Sequence, residues 1–209
     1  MSENLVIIFV KNIKLGQVKT RLAKTIGNQG AFDVYTELVQ VTEEVTKKLT
    51  EHKRIYFSEA IVDNRWVNDK KYVQNGIDLG ERMKNAFNQG FKDGYRRIVL
   101  IGSDLPDITV THINQGLDAL KENDVVFGPA EDGGYYLIGQ SKMNAMIFKN
   151  KPWSKSTLLA ETLNELKNNS ITYTTLNTLN DIDTYEDLIA SKFYQSNIEL
   201  HKKIKLLHD

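Results

Sequence analysis

The sequence predicts an α/β fold, a sheet with helices on both of its faces. Three observations predict it. Leu5–Val10 and Arg97–Ile101 are continuous apolar runs rich in β-branched residues, as in strands buried on both faces. Elsewhere apolar residues recur at spacings of three and four, the pattern of amphipathic helices. Strand-like and helix-like segments alternate along most of the chain.

Leu5–Val10 is the first strand, and the polar segment Lys11–Thr25 leads into a helix marked by Val34, Leu38, Val41, Val45 and Leu49. Arg54–Phe57 is a second strand, Asp63–Asp69 an irregular stretch or single turn, and Tyr72–Gln74 a weak third strand. Leu79, Met83, Phe87 and Phe91 mark a helix closed by Gly94. Arg97–Ile101 follows as a strand, and Ile113, Leu117 and Leu120 as a helix. Asp124–Phe127 and Tyr135–Ile138 are strands flanking Gly128–Gly134. Leu158, Leu159, Leu163 and Leu166 give a helix, and Ile171–Leu176 a Thr-rich strand. Thr184 opens a helix carrying Leu188 and Phe193, and the tail after Asn197 is basic and amphipathic. No internal repeat interrupts the series, so residues 1–209 read as one domain.

Composition narrows the function classes. The 27 basic and 27 acidic residues balance, which gives no electrostatic footprint for nucleic acid. The absence of cysteine excludes disulfides, thiolate zinc sites and a cysteine nucleophile, and it suits a cytoplasmic protein. The first apolar run spans six residues between Glu3 and Lys11, too short for a signal peptide, and no segment approaches the ~20 apolar residues of a membrane span. His52, His112, His201 and His208 fall on helices or their ends and read as surface residues.

In α/β sheets ligands bind beyond the carboxyl ends of the strands. Four loops there carry the least ordinary residues. Gly16–Arg21 offers backbone amides together with Lys19 and Arg21, a set suited to phosphate, although a solvated basic loop has the same composition. Gly102–Pro106 places Asp104 where a carboxylate would face the crevice and hold Mg²⁺; the alternative is a helix cap near Asp107. Gly128–Gly134 carries Asp132, Gly133 and Gly134, which permit close approach to a ligand and are equally at home in a hairpin turn. In Asn180–Thr184, Thr184 with Asp187 resembles a capping box. That leaves Asp181 and Asp183 without a structural role, and one of the two, Asp183 by preference, is the candidate second metal ligand.

Lys11, Gly16–Leu22, Asp78–Met83, Gly102–Pro106, Gly128–Leu137 and Asp181–Thr184 occur here in one order. From Leu5 to about Leu188 the set resembles a bacterial family of glycosyltransferase-A-like proteins, the radical-SAM/selenodomain-associated transferase 1 type. That family is related to the molybdenum-cofactor and lactyl-phospho-guanylate nucleotidyltransferases. The resemblance implies the nucleotide-diphospho-sugar transferase fold, a Rossmann-like mixed, mostly parallel sheet of about seven strands. It implies Mg²⁺ or Mn²⁺ on Asp104 and Asp183, and phosphates held by the Lys19–Arg21 segment. The sequence departs from the family in having Ile13 where a proline is usual, and Gly16 in place of a longer Gly-rich opening.

The expected function is a metal-dependent transferase acting on a nucleotide or nucleotide-sugar and a small-molecule acceptor. Asp104, Lys19 and Arg21 carry the chemistry; Lys11, Gly16, Thr20, Ser103, Asp132, Gly133 and Gly134 line the substrate site. A nucleotidyltransferase acting on a phosphorylated acceptor is the alternative, and a nucleotide-binding protein without turnover the alternative of another class. No nucleic acid or membrane partner is expected, and the oligomeric state is open.

Overall fold

The computed structural model describes residues 3–206. Strands β1 (Asn4–Val10), β2 (His52–Phe57), β3 (Lys70–Val73), β4 (Arg97–Ile101), β5 (Val125–Pro129), β6 (Tyr135–Gln140) and β7 (Tyr173–Thr175) form one sheet. Their order is β3-β2-β1-β4-β6-β5-β7. All neighbours pair in parallel except β6, which is antiparallel to both β4 and β5. The expected mixed, mostly parallel α/β sheet is therefore present. The chain runs from β1 outward to β2 and β3, then returns to β4 on the other side of β1. The ends of β1 and β4 thus form the point where the strand order reverses, the place at which such sheets open a crevice.

The helices are α1 (Ala23–Thr46), α2 (Leu79–Lys92), α3 (Val110–Ala119), α4 (Leu158–Asn168), α5 (Tyr185–Ala190), α6 (Lys192–Ser196) and α7 (Ile198–Leu206). β1 shows why both faces are covered. Val6, Ile8 and Val10 pack with Tyr35 and Val39 of α1 and Ile113 and Leu117 of α3. The alternate residues Leu5, Ile7 and Phe9 pack with Met83 and Phe87 of α2 and Leu166 of α4. A third cluster joins Ile26, Val34 and Leu38 of α1 to Leu188 of α5 and to Leu200 and Ile204 of α7, so the amphipathic tail is a docked helix. No helix among the described residues is long and apolar enough to cross a membrane.

Several expectations need correction. α1 begins earlier than its apolar stripe indicates and breaks at Gly27 (φ 74°, ψ 167°). Leu188 and Phe193 lie on two helices, because Ser191 is extended and caps α6 by accepting from the Tyr194 N–H at 3.2 Å. His52 opens β2, where its ring bonds the Tyr95 hydroxyl at 2.8 Å. His208 lies outside the described residues. A 3-10 helix at Ala145–Phe148 has too few residues to show a sequence period.

Candidate functional site

Beyond β1, the loop Lys11–Leu22 is pinned by two apolar plugs, Val18 and Leu22, both at most 1% exposed. Between them Lys19 adopts φ 45°, a left-handed conformation that non-glycine residues rarely hold. Its side chain runs inward and is 5% exposed. The Nζ lies 3.1 Å from Asp104 Oδ2 and 2.9 Å from Asp183 Oδ1. Burial alone would push this lysine's pKa down; Asp104 and Asp183 more than offset that and hold it raised, so the ammonium is charged. Arg21, 63% exposed, reaches Asp183 Oδ2 at 3.7 Å.

Asp104 follows β4 and is half-buried. Thr109, not Asp104, caps α3, accepting from the His112 N–H. Ser103 is buried and its Oγ lies 2.9 Å from the Tyr35 Oη, which also accepts the Lys11 N–H at 3.0 Å. Tyr35 of α1 therefore ties the loop after β1 to the loop after β4. Burial foremost, and the charge of Asp104, push its pKa up to about 12, so the phenol keeps its proton. In the sequence Tyr35 sits inside a helical apolar stripe and reads as core.

Asp181 and Asp183 flank Ile182, which is 1% exposed. In extended chain, residues two apart share a face, so burying Ile182 turns both carboxylates the other way. The capping box of α5 fixes the segment, with Asp187 Oδ2 accepting from the N–H groups of Asp183 and Thr184 at 3.1 and 2.7 Å. One carboxylate oxygen each from Asp104, Asp181 and Asp183 all lie within 4.8 Å of one another. Burial, and then the nearby Asp104, push the Asp181 pKa up to about 6. Lys19 opposes that rise without cancelling it. The structure brings Asp104, Asp183, Lys19 and Arg21 together, and it adds Asp181. The sequence signal for that addition is the Asp-Ile-Asp alternation.

The remaining residues of the first loop divide. Gly16 takes φ 74° at an exposed turn, Thr20 is exposed, and Lys11 is exposed and engaged through its backbone. The Gly128–Gly134 segment is a true hairpin turn, closed by Gly133 N–H to Ala130 O at 3.1 Å. Gly133 has φ 89°, and a Cβ there would lie 2.0 Å from the Ser156 carbonyl oxygen. Its openness is filled by the chain itself, because Leu159 donates to its carbonyl at 3.0 Å. Asp132 Oδ1 accepts from the Gly134 N–H at 2.8 Å.

Next to the carboxylates a cavity of about 350 Å³ opens over the start of β6. Asp104, Asp132, Gly134 and Asp181 line it together with Phe9, Leu100, Tyr135 and Trp153. A register shift between Gly128 and Pro129 breaks the alternation of β6. Tyr135 consequently packs with the α2 and α4 side of the sheet, and Tyr136 with the α1 and α3 side. The Tyr136 ring covers Gly128, where a Cβ would lie 2.3 Å from it.

Comparison with known proteins agrees with this architecture. The family model described as uncharacterized protein conserved in bacteria (DUF2064) matches residues 43–155. A proposed nucleotide-diphospho-sugar transferase from Desulfovibrio desulfuricans G20 is 31% identical, with a TM-score of 0.85 over 99% of this chain and 97% of that one. A cytidylyltransferase from Leptospira borgpetersenii serovar Hardjo-bovis (strain JB197) is 15% identical, with a TM-score of 0.56 over 99% and 97% of the two chains. The inositol-1-phosphate CTP transferase from T. maritima is 17% identical, with a TM-score of 0.53 over 98% and 96%. The last two show likeness of fold alone. No protein of curated function matches the sequence.

Proposed function

This chain belongs to the DUF2064 family of bacterial proteins, and from that premise and the site's geometry we propose that it is a metal-dependent transferase acting on a nucleotide or nucleotide-sugar. One observation carries the reading. Asp104, Asp181 and Asp183 converge where the strand order reverses, with Lys19 among them and a cavity alongside. The named relative at 31% identity supports the same reading.

The donor set fits a hard divalent cation. All three groups are carboxylates, the ligands that Mg²⁺ and Mn²⁺ prefer. Around Mg²⁺, with bonds of ~2.1 Å, opposite ligand oxygens stand ~4.2 Å apart. Small side-chain rotations therefore bring the trio into reach. Asp104, Asp181 and Asp183 would hold the ion, which when bound supplies positive charge to the nucleotide's phosphates. Arg21, exposed at the rim, binds phosphate oxygens. Lys19 departs from its expected role as a free phosphate clamp, because two carboxylates already engage it. It holds Asp104 and Asp183 at a fixed separation. Catalysis in this site is positioning plus electrostatics.

Of the two cations beside the carboxylates, Lys19 is already engaged and Arg21 alone is exposed, which favours transfer from a nucleotide-sugar over nucleotidyl transfer, where a departing pyrophosphate must also be stabilised. The test incubates the protein with nucleotide-sugars and with nucleoside triphosphates in the presence of Mn²⁺. Release of nucleoside diphosphate is the expected outcome, and release of pyrophosphate selects nucleotidyl transfer instead. Thermal shift gives the parallel readout. A nucleotide at a hundredfold excess over its Kd should stabilise the fold by about 2.7 kcal/mol, in a Mn²⁺-dependent way. Absence of both turnover and Mn²⁺-dependent nucleotide binding overturns the reading.

A further inference from the structure

We propose that the cavity beside the carboxylates is the acceptor site, and that its acceptor has an apolar, planar body, an uncharged hydroxyl nucleophile and no phosphate or carboxylate group. The assignment rests on the transferase reading above and adds the substrate class to it.

The argument is one of polarity across the site. Lys19 and Arg21 both pair with Asp183, Lys19 also with Asp104, and neither cation nor Asp183 lines the cavity. The cavity wall carries Asp104, Asp132 and Asp181 and, among the described residues, no lysine, arginine or histidine. A phosphomonoester entering it would lose water and meet Asp132 with no counter-charge, since Asp104 is paired with Lys19 and, like Asp181, is assigned to the metal. Nucleotide phosphates therefore belong on the Arg21 side. Apart from Ser154, the remaining side chains of the wall are mostly apolar and include Phe9, Leu100, Tyr135, Ile138 and Trp153. Leu79, 47% exposed, extends that surface to the mouth. An apolar body gains by leaving water there, and flat rings gain further against tyrosine and tryptophan.

Tyr135 lines the cavity, and its own hydroxyl is buried out of reach of a molecule bound there. In the transfer, the acceptor oxygen forms the new bond to the sugar carbon. The bond from that carbon to the diphosphate oxygen breaks, and its electron pair leaves with the nucleoside diphosphate. The acceptor's proton passes to Asp132, the cavity carboxylate that stands outside the trio.

Three matched probes test the charge rule: benzyl alcohol, benzyltrimethylammonium and benzyl phosphate, titrated by NMR against the intact protein without metal. The alcohol and the cation should bind, and the phosphate at least tenfold more weakly. Asp132→Lys should reduce the preference for the cation over the phosphate at least tenfold. Preferred binding of benzyl phosphate, or binding of none of the three, overturns the proposal. A fourth arm tests the assignment to the acceptor. Saturating benzyl alcohol, which carries no charge to oppose Mn²⁺, should leave the affinity for nucleoside diphosphate with Mn²⁺ unchanged, and competition between the two overturns the proposal by giving the cavity to the nucleoside. Failure of the protein to bind any nucleoside diphosphate with Mn²⁺ sinks the transferase reading itself and with it the acceptor role, while the probe titrations still separately decide the charge rule.

Discussion

Replacing Lys19 with methionine keeps the stem and removes the charge, which isolates what the ammonium does. The Nζ is within 3.1 Å of two carboxylates, and its side chain is 5% exposed. Removing one partner of a buried pair costs about 3–5 kcal/mol. Here the carboxylates are 42% and 39% exposed and recover water when the lysine is gone, so the figure must be discounted to about 1–2 kcal/mol. In a chain of this size that lowers the melting temperature by about 2–8 °C. Because the folded pKa of Lys19 is raised, its contribution is fully present below the unfolded lysine value of about 10.4 and is lost as pH rises through the folded one. The assay is a melting curve at neutral pH, with and without Mn²⁺. Three converged carboxylates stripped of their lysine should take the cation more avidly, so Mn²⁺ should restore more stability to Lys19→Met than it adds to the parent. An unchanged melting temperature, or a loss that Mn²⁺ does not recover, refutes the reasoning.

Other outcomes follow from the same geometry. Asp104→Asn should keep the fold and abolish Mn²⁺-dependent stabilisation by nucleotide, read by thermal shift, because asparagine keeps the shape and lacks the charge. Arg21→Lys should weaken nucleotide binding about tenfold in calorimetry by replacing a two-pronged grip with a point charge. Gly133→Ala should cost on the order of 2–4 kcal/mol in a denaturant titration, since its Cβ would collide with the Ser156 backbone at a left-handed position. Glu43 is opposed by burial, but the Trp66 N–H, Lys47 and Arg65 lower its pKa overall, so its contribution is present above the unfolded carboxylate value of about 4.3 and is lost as pH falls through the folded one. Glu43→Gln should therefore flatten the acid limb of the denaturant midpoint plotted against pH.

The strands and long helices were legible because burial on two faces leaves continuous apolar runs, and burial on one face leaves a helical stripe. Asp104 stood out because a carboxylate directly after an apolar strand has few structural uses. Lys19 was legible as a residue of the site and not in its role, since a charge pattern does not say which partner a lysine will choose. Asp181 was noticed and ranked below Asp183; their equivalence depends on Ile182 being buried between them. Trp153 and Tyr135 were out of reach. The first lies in an irregular segment, and the second reaches its side of the sheet only through a register shift that has no sequence period.

The antiparallel β6 has a consequence for scale. Adjacent strands lie ~4.8 Å apart, so inserting β6 sets β4 and β5 about 10 Å from one another. The cavity spans that gap, with Asp104 following one bank, Ala130 following the other, and the first residues of β6 as its bed. Its breadth is thus a property of main-chain ladders, which are hard to alter, while its lining is made of side chains, which are easy to exchange. Relatives sharing this strand order could change what they grip at this place without changing how large an object fits there.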